Sequence, residues 1–286
     1  MCAARHTGEG RALYVFAFRC VHYGVSYQNP IDIFRGFGSV SIPQLPAGAH
    51  SGLDFYGECR PAGSMSGDFF DFTPLEILGL SISIGQVSGD GAGGGILKSG
   101  LQALLRSLTR QGSREVAAVV RELNHAVWLS SSGNFSASLF CAEIDPASGE
   151  MQYVNAGHEP ALLIRRRTGR AHRLESTGAV LGLSDRASYG QRAFPLEAGD
   201  LVIACTDGIT EAQGSAGREF GDVGILKVVE RFPDARAVDL TWEILAAAER
   251  HTGRERQSDD QSVIVARFKG AAAQTEPLEE QELAAA

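Results

Sequence analysis

Five aspartates are the residues of this chain best suited to chemistry: Asp68 and Asp71, three positions apart in one motif, and Asp207, Asp259 and Asp260, at the ends of predicted strands. Strand ends are held by rigid backbone, so carboxylates there can converge, and converging carboxylates repel one another unless a cation lies among them. Their hard oxygen atoms favour Mg²⁺ or Mn²⁺, which would make this a metal site. Spacing alone is equally consistent with turn formation, because Asp207-Gly208 is a common turn pair.

Strands joined by hairpins, with helices grouped in pairs, would position these aspartates. Short apolar runs bounded by turn residues predict strands near 78–84, 138–144, 151–155, 162–165, 172–174, 201–205 and 262–268. Apolar residues at helical spacing predict helices near 97–108, 116–127, 221–232 and 237–249. This arrangement favours a layered α+β domain over a doubly wound parallel sheet.

Composition and charge indicate a folded chain and exclude several kinds of partner. The 286 residues are 44% hydrophobic and 21% charged, as in soluble globular proteins. The net charge of -8 repels phosphate backbones, and the one basic cluster, at 165–170, is interpreted as a solvated hairpin tip. No uninterrupted apolar run approaches the roughly 20 residues of a membrane span. The scattered cysteines indicate a reducing compartment, so we expect a cytoplasmic protein that binds neither nucleic acid nor membrane.

The chain divides into three predicted segments. Residues 1–44 mix polar and aromatic residues with no sustained period and are expected to form an irregular lead-in. Residues 270–286 are rich in Ala, Glu and Gln without an apolar face and are expected to be a disordered tail. The folded domain is therefore predicted over residues 45–269.

Five motifs follow one another in this domain: Arg60-Pro61-Ala62 with Ser66–Asp71, Ile84–Gly91, Tyr153–Pro160, Gly199-Asp200 with Thr206–Ala212, and Asp259–Ser262. Together they resemble the ordered motifs of the PPM-type phosphatases, and more narrowly the SpoIIE/RsbU branch of bacterial metal-dependent serine/threonine phosphatases. The resemblance runs from about Leu45 to Phe268. No single motif would suffice, but five in the right order make chance agreement improbable.

The resemblance implies a fold, a reaction and a partner. The fold would be a four-layer α+β sandwich of two antiparallel β-sheets flanked by helices. Two Mn²⁺ or Mg²⁺ ions would activate a water for in-line attack on phosphoserine or phosphothreonine, without a phosphoenzyme. The implied substrate is a phosphorylated regulatory protein of the anti-sigma-factor antagonist type, and a homodimer is compatible with the family.

The resemblance also implies roles for individual residues. By motif, Asp68, Asp207 and Asp259 match the catalytic, metal-binding aspartates. Gln86 and Val87 fall at the remaining metal-binding positions of the second motif. The other two aspartates match acidic motif positions to which the resemblance assigns no definite role: Asp71 and Asp260.

Position 86 departs from the family pattern. The second motif usually reads Gly-Asp-Val-Ser-Gly-His-Gly, and here Gln86 replaces the bridging aspartate and Asp90 replaces the histidine. Glutamine offers one neutral carbonyl oxygen, whereas a carboxylate gives a negatively charged oxygen to each of two cations. We therefore expect weaker occupancy, especially of one metal, and slower turnover. The alternative is a pseudophosphatase that binds a regulator without processing it.

Four further signals each have a functional and a structural interpretation. Asp90 could reach the metal site if its glycine-rich loop folds back, or it could be an exposed turn acid near a helix N-terminus. His158 could be a general acid or a hydrogen-bonded structural histidine. Arg60 could hold a phosphate or lie at the surface. Residues 89–94 match a dinucleotide-binding GxGxxG, but no βαβ unit follows, which disfavours a nucleotide-binding domain.

Overall fold

The computed structural model of the protein describes residues 52–63, 66–75, 79–88, 92–111, 115–131, 135–215, 217–253 and 257–270. The predicted lead-in, residues 1–44, and the predicted tail beyond Gly270 lie outside these ranges, as does Asp90. Within the described ranges, the strands form two antiparallel sheets, and helices cover the outer face of each sheet.

The first sheet has five strands. They are β1 (Leu53–Arg60), β6 (Ala161–Ile164), β7 (Ala171–Leu174), β9 (Leu201–Cys205) and β10 (Gln261–Phe268). Their spatial order is β1-β10-β9-β6-β7, and every neighbouring pair is antiparallel. The central strands β9 and β10 are buried along their length.

The second sheet also has five strands. They are β2 (Asp68–Pro74), β3 (Leu80–Ser88), β4 (Ser136–Asp145), β5 (Glu150–Ala156) and β8 (Arg192–Pro195). Their spatial order is β2-β3-β4-β5-β8, again antiparallel throughout. Short turns suffice for most of these connections because antiparallel strands can follow one another as hairpins.

Alternate residues of each strand form the core between the two sheets. In β3, Leu80, Ile82 and Ile84 face the opposite sheet, whereas Ser81 faces the helices and lies against Cys141. This period of two is what a pleated strand imposes on its side chains. Each buried side chain of this size contributes about 1.5–3 kcal/mol to folding.

Helices complete the outer layers of the sandwich. They are α1 (Ala92–Arg110), α2 (Val116–Ser131), α3 (Asp207–Thr210), α4 (Gly221–Arg231) and α5 (Ala237–His251). The apolar faces of α1 and α2 pack on the second sheet, and those of α4 and α5 pack on the first. The single turn α3 follows β9 directly. The predicted α+β sandwich of two antiparallel sheets flanked by helices is confirmed.

The strands that the sequence did not predict are edge strands. β1, β2 and β8 each lie at the edge of a sheet, and β1 and β8 are only partly buried. An edge strand has one neighbour and does not need the continuous apolar run that marks a central strand. The predicted hairpins and the four predicted helices are present.

Two surface features bear on the partners of the chain. Three arginines of the basic turn pair with acids: Arg165 with Asp200 at 2.6 Å, Arg166 with Asp234 at 2.8 Å and Arg167 with Glu197 at 3.4 Å. The positive charge of this turn is therefore largely neutralised locally. In the part of the chain that the structure describes, no helix has both the length and the apolar character needed to cross a membrane.

Candidate metal centre

Asp68, the first residue of β2, carries the one buried carboxylate oxygen without a partner in the described residues. The side chain is 2% exposed. Its Oδ2 atom accepts hydrogen bonds from the hydroxyls of Thr206 at 2.7 Å and Ser262 at 2.8 Å, whereas its Oδ1 atom has no hydrogen-bond partner. A buried acceptor left unpaired costs about 1–3 kcal/mol, and more when it is charged. The Oδ1 atom is therefore suited to a ligand that is not part of the protein chain.

The electrostatics of Asp68 point the same way. Burial raises the pKa of this carboxyl group from 3.8 to about 7. The hydroxyls of Thr206 and Ser262 oppose the rise, and the nearby charges of Asp260 and Asp207 add to it. A carboxylate held among other acids at this depth is stabilised when a cation neutralises it.

Gln86 joins the Asp68 strand to Asp207. The register of β2 and β3 places Gln86 opposite Asp68. The Nε2 atom of Gln86 donates a hydrogen bond of 3.3 Å to Oδ1 of Asp207, and the same oxygen accepts the backbone N–H of Gly208 at 2.8 Å. Residues 68, 86 and 207 are therefore brought together from three separate parts of the chain.

Gly208 allows the start of α3 to lie against the chain that enters β10. A Cβ atom at position 208 would lie 1.9 Å from the backbone oxygen of Asp260. No side chain fits at that distance, so a substitution would displace the backbone that carries Asp259 and Asp260. The Asp-Gly pair is thus required by close packing of two chain segments, and not only by a turn.

Asp260 holds the loop that precedes Asp68. Its Oδ1 atom accepts the backbone N–H of Ala62 at 2.8 Å, and its Oδ2 atom accepts the backbone N–H of Gly67 at 2.8 Å. The residue is 7% exposed. Since both oxygens already have donors, we interpret Asp260 as a positioning residue for Asp68 and not as a metal ligand.

We predict that Asp260→Asn lowers the free energy of unfolding by about 1–3 kcal/mol, because the new amide group leaves one backbone N–H without an acceptor. Urea denaturation measures the change. The neighbouring variant Asp259→Asn is the matched control, and its effect should stay within about 0.5 kcal/mol, as for an exposed surface substitution. Equal destabilisation by the two variants would contradict the loop-holding role.

Asp68, Asp207, Asp259 and Asp260 form an acidic cluster. Asp259 lies at its exposed rim. Its Oδ1 atom accepts the backbone N–H of Asp260 at 2.7 Å, and its backbone oxygen accepts Nε2 of Gln257 at 2.7 Å. Among the described residues, no group of three or more His, Cys, Asp or Glu side chains is placed so that it could hold a metal ion. As positioned here, the cluster combines a buried carboxylate, a second carboxylate bound by an amide, and a third at the rim.

The backbone of Val87 contacts Gly67, the residue that precedes Asp68. The backbone N–H of Val87 donates a 3.0 Å hydrogen bond to the oxygen of Gly67, and the Val87 oxygen would lie 2.8 Å from a Cβ atom at position 67. The Val87 carbonyl is therefore close to the residue that precedes Asp68.

Comparison with known proteins decides the family. The model of the family described as Stage II sporulation protein E (SpoIIE) matches residues 79–269, most of the chain. The chain belongs to the SpoIIE family. The matched range includes Gln86, Asp207, Asp259 and Asp260. Asp68 precedes it.

Curated relatives of this SpoIIE-family chain are bacterial. Protein IcfG of Synechocystis is 30% identical over 217 residues, which cover 66% of this chain and 33% of IcfG. The phosphoserine phosphatase RsbU of Bacillus subtilis is 29% identical over 176 residues, covering 62% of this chain and 50% of RsbU. The aligned part thus spans a third to a half of the length of these relatives.

Solved structures share the fold. The SiaA-PP2C domain of Pseudomonas aeruginosa matches with a TM-score of 0.66 and 17% identity, covering 91% of this chain and 96% of that one. The PP2C phosphatase domain of SpoIIE from Bacillus subtilis, solved with a fragment of its regulatory domain, also has a TM-score of 0.66, with 18% identity and coverage of 76% and 62%. RsbX, solved in complex with magnesium, has a TM-score of 0.59, with 16% identity and coverage of 76% and 95%. The fold of this chain is therefore that of the PP2C-type phosphatases.

The chemistry of the Asp68 carboxylate in this SpoIIE-family centre suits a divalent cation. The unpaired, buried Oδ1 atom of Asp68 is an anionic hard-oxygen donor, and the carboxyl pKa is raised by burial and by neighbouring acids. Further oxygen atoms, those of Asp207, Asp259 and the Val87 backbone, belong to the segments that pack around Asp68. Hard oxygen atoms of this kind are the ligands that Mg²⁺ and Mn²⁺ prefer.

Asp71 lies outside the cluster. Its carboxylate pairs with Arg106 of α1 and accepts the hydroxyl of Thr73 at 3.5 Å. Residues 68 and 71 are an odd number of positions apart on one strand, so their side chains point to opposite faces of the sheet. Asp68 faces the opposite sheet, whereas Asp71 faces the helices and ties α1 to β2. The expectation of convergence therefore does not extend to Asp71.

His158 has a structural role. Its backbone N–H donates to Oδ1 of Asn155 at 2.8 Å, and its Nδ1 atom lies 3.0 Å from the backbone oxygen of Glu159. Burial lowers the pKa of the imidazole to about 4, so the ring is neutral at neutral pH. These contacts support the structural interpretation over general acid catalysis.

Arg60 points away from Asp68. Its guanidinium group lies 5.1 Å from the ring centre of Trp242 and 3.9 Å from Glu249, both on α5. The preceding residue, Cys59, faces the other way and lies 3.6 Å from the hydroxyl of Ser66. The geometry therefore gives Arg60 a role in packing α5 on the first sheet, and offers no support for a phosphate contact.

Three residues of the centre were missed by sequence reasoning. Thr206 and Ser262 donate to Asp68, and Lys98 of α1 donates from Nζ to the backbone oxygen of Ser66 at 2.6 Å. Thr206 and Ser262 lie next to predicted acidic positions and could have been suspected from that proximity. Nothing in the local sequence of α1 signals Lys98, because its contact depends on how the helix packs.

Proposed function

We propose that this chain hydrolyses phosphoserine or phosphothreonine on a regulatory protein in a reaction that depends on a divalent cation. The observation that carries the proposal is the buried, unpaired Oδ1 atom of Asp68, held beside two further acids in a PP2C-type fold. Membership of the SpoIIE family supports phosphatase chemistry in general. The folded catalytic unit is proposed to span residues 45–269.

We propose that the carboxylate of Asp68 holds Mn²⁺ or Mg²⁺. The resemblance implies Asp207, Asp259, the Val87 carbonyl and the Gln86 side chain as further ligands of a two-ion centre. When bound, such a cation lowers the pKa of a coordinated water and neutralises charge on the phosphoryl group. The protein contributes a rigid arrangement of these ligands, because precise orientation of a site needs supporting contacts around it.

The supporting contacts act on the segment that leads into β2. Thr206 and Ser262 fix one oxygen of Asp68 and thereby direct the other. Asp260 fixes the backbone at residues 62 and 67, and Lys98 fixes the backbone at residue 66. The carboxylate is thus oriented before any ligand arrives, which reduces the cost of binding one.

The proposed substrate is a phosphorylated regulator of the anti-sigma-factor antagonist type. Both RsbU and RsbP of Bacillus subtilis are named phosphoserine phosphatases, and a Mycobacterium tuberculosis protein of similar fold joins an RsbU domain to an RsbW domain. The resemblance of the motifs to the SpoIIE/RsbU branch supports the same class of partner here.

The experiment that tests the proposal is release of phosphate from a phosphoserine peptide and from a phosphorylated antagonist protein, with and without Mn²⁺. We predict metal-dependent release by the wild type, and a rate about tenfold higher for Gln86→Asp, because the new carboxylate supplies an anionic ligand. Gln86→Asn, whose side chain matches aspartate in length but carries no charge, should not accelerate release.

A pseudophosphatase is the alternative, and the hydrogen bond from Gln86 to Asp207 is the observation that favours it. Release by Gln86→Asp but not by the wild type would establish the pseudophosphatase. Absence of release from both proteins, with Mn²⁺ bound, would overturn phosphatase activity for this chain.

A further inference from the structure

We propose that the side-chain amide of Gln86 takes the place of one metal ion at Asp207, so that this chain binds one divalent cation, at Asp68. The inference rests on the proposed function. The family resemblance implies two ions for that function, and the inference reduces them to one. It makes Gln86 the residue that determines how many ions the centre holds.

The first argument is that Asp207 is already satisfied on the side that faces Gln86. Its Oδ1 atom accepts two N–H donors, the backbone of Gly208 at 2.8 Å and the amide of Gln86 at 3.3 Å. The hydrogens of both donors carry partial positive charge toward that oxygen. A cation approaching the same oxygen would meet these hydrogens and be repelled, so the amide and the ion exclude each other there.

The second argument is the contrast between Asp68 and its neighbours. Both oxygens of Asp260 accept backbone N–H groups at 2.8 Å. Oδ1 of Asp259 accepts the backbone N–H of Asp260 at 2.7 Å. In the part of the chain that the structure describes, Asp68 Oδ1 is the buried carboxylate oxygen that has no donor. The need for a cation is therefore concentrated at Asp68.

The third argument is charge. A carboxylate at position 86 would lie opposite Asp68 across the β2–β3 pair and within reach of Asp207. Three carboxylates in that arrangement would carry one more negative charge than a single divalent cation neutralises, which favours a second ion. The neutral amide removes one negative charge and adds a donor, so Asp68 and Asp207 no longer compete for counter-charge.

The test is the stoichiometry of Mn²⁺ binding to the full chain after treatment with a chelator. Isothermal titration calorimetry should give one ion per chain for the wild type and for Gln86→Asn, and two ions for Gln86→Asp. Electron paramagnetic resonance supplies an independent signal, because two Mn²⁺ ions at the roughly 3.5–4 Å spacing of two-metal sites couple magnetically. Coupling is expected in Gln86→Asp only.

Asp207→Asn distinguishes an ion held at Asp68 from an ion held at Asp207. In the wild-type background it should leave one ion bound, with affinity changed less than about tenfold. In the Gln86→Asp background it should reduce two ions to one. Thermal unfolding checks that each variant is folded, and the wild-type stoichiometry decides the question even if a variant fails that check.

Two ions in the wild type, or one ion in a folded Gln86→Asp, would overturn the inference while leaving the proposed function intact. Loss of the ion from a folded Asp207→Asn in the wild-type background would also overturn it. If neither the wild type nor Gln86→Asp binds Mn²⁺, the proposed function is overturned together with the inference.

Discussion

Asp68→Asn is expected to reduce Mn²⁺-dependent release of phosphate from a phosphoserine peptide by at least about a hundredfold. The substitution keeps the shape of the side chain and leaves an oxygen that can still accept the hydroxyls of Thr206 and Ser262. It removes the negative charge and the unpaired anionic oxygen that we propose as the centre of cation binding. Activity should therefore be lost without loss of the fold.

The measurement is the initial rate of phosphate release at saturating Mn²⁺, with circular dichroism to confirm folding. Asp239→Asn is a suitable control, because Asp239 lies at the surface of α5 and pairs with Arg236. That variant should retain wild-type activity. An Asp68→Asn protein that is folded and keeps activity within about tenfold of the wild type would remove Asp68 from the proposed chemistry.

The pKa of Asp68 predicts how the stability of the metal-free protein depends on pH. The carboxyl pKa is about 7 in the folded chain, against 3.8 for the ordinary group. Between these values the folded chain holds a proton that the unfolded chain has released. The free energy of unfolding should therefore fall as pH rises from about 4 to about 7, by on the order of 4 kcal/mol from Asp68 alone, and the loss is complete above pH 7.

Other groups also titrate in this range, among them the half-buried Glu143 and the buried His158, so the prediction concerns the difference in stability between the wild type and Asp68→Asn. Burial raises the pKa of Glu143 to about 7, which adds to the fall. Burial lowers the pKa of His158 to about 4, which makes stability rise with pH over the same interval. Both contributions are shared by the wild type and Asp68→Asn and cancel in the comparison.

Urea denaturation at a series of pH values, with a chelator present, measures this difference. Metal-free Asp68→Asn should become more stable than the wild type as pH rises toward 7, because its amide remains neutral. Mn²⁺ should then stabilise the wild type and not the variant, since only binding to the folded state raises the free energy of unfolding. Parallel pH profiles for the two proteins would show that Asp68 is not perturbed.

The sequence was informative about the central strands and the order of the motifs. Apolar runs such as that of β9 mark strands buried on both faces, and the acids that follow or precede them mark one end of the sheets. It was uninformative about β1, β2 and β8, since an edge strand has no such run. Asp71 shows a related limit: motif spacing grouped it with Asp68, but the alternation of side chains along β2 separates them.

What the sequence by itself determined is a layered α+β fold, from its apolar patterns, and, through the resemblance of its motifs, the sandwich, the family and the identity of the acids near the centre. These follow from local patterns of apolar residues and from short motifs, which tertiary contacts do not alter. Only the tertiary structure decided which carboxylate oxygens have hydrogen-bond donors and which one has none. Residues 86 and 207, or 67 and 260, are far apart along the chain, and the hydrogen bonds between them exist only once the two sheets have packed. Those bonds leave one oxygen of Asp68 without a partner, because hydrogen-bond satisfaction is a property of the packed site and not of any one segment.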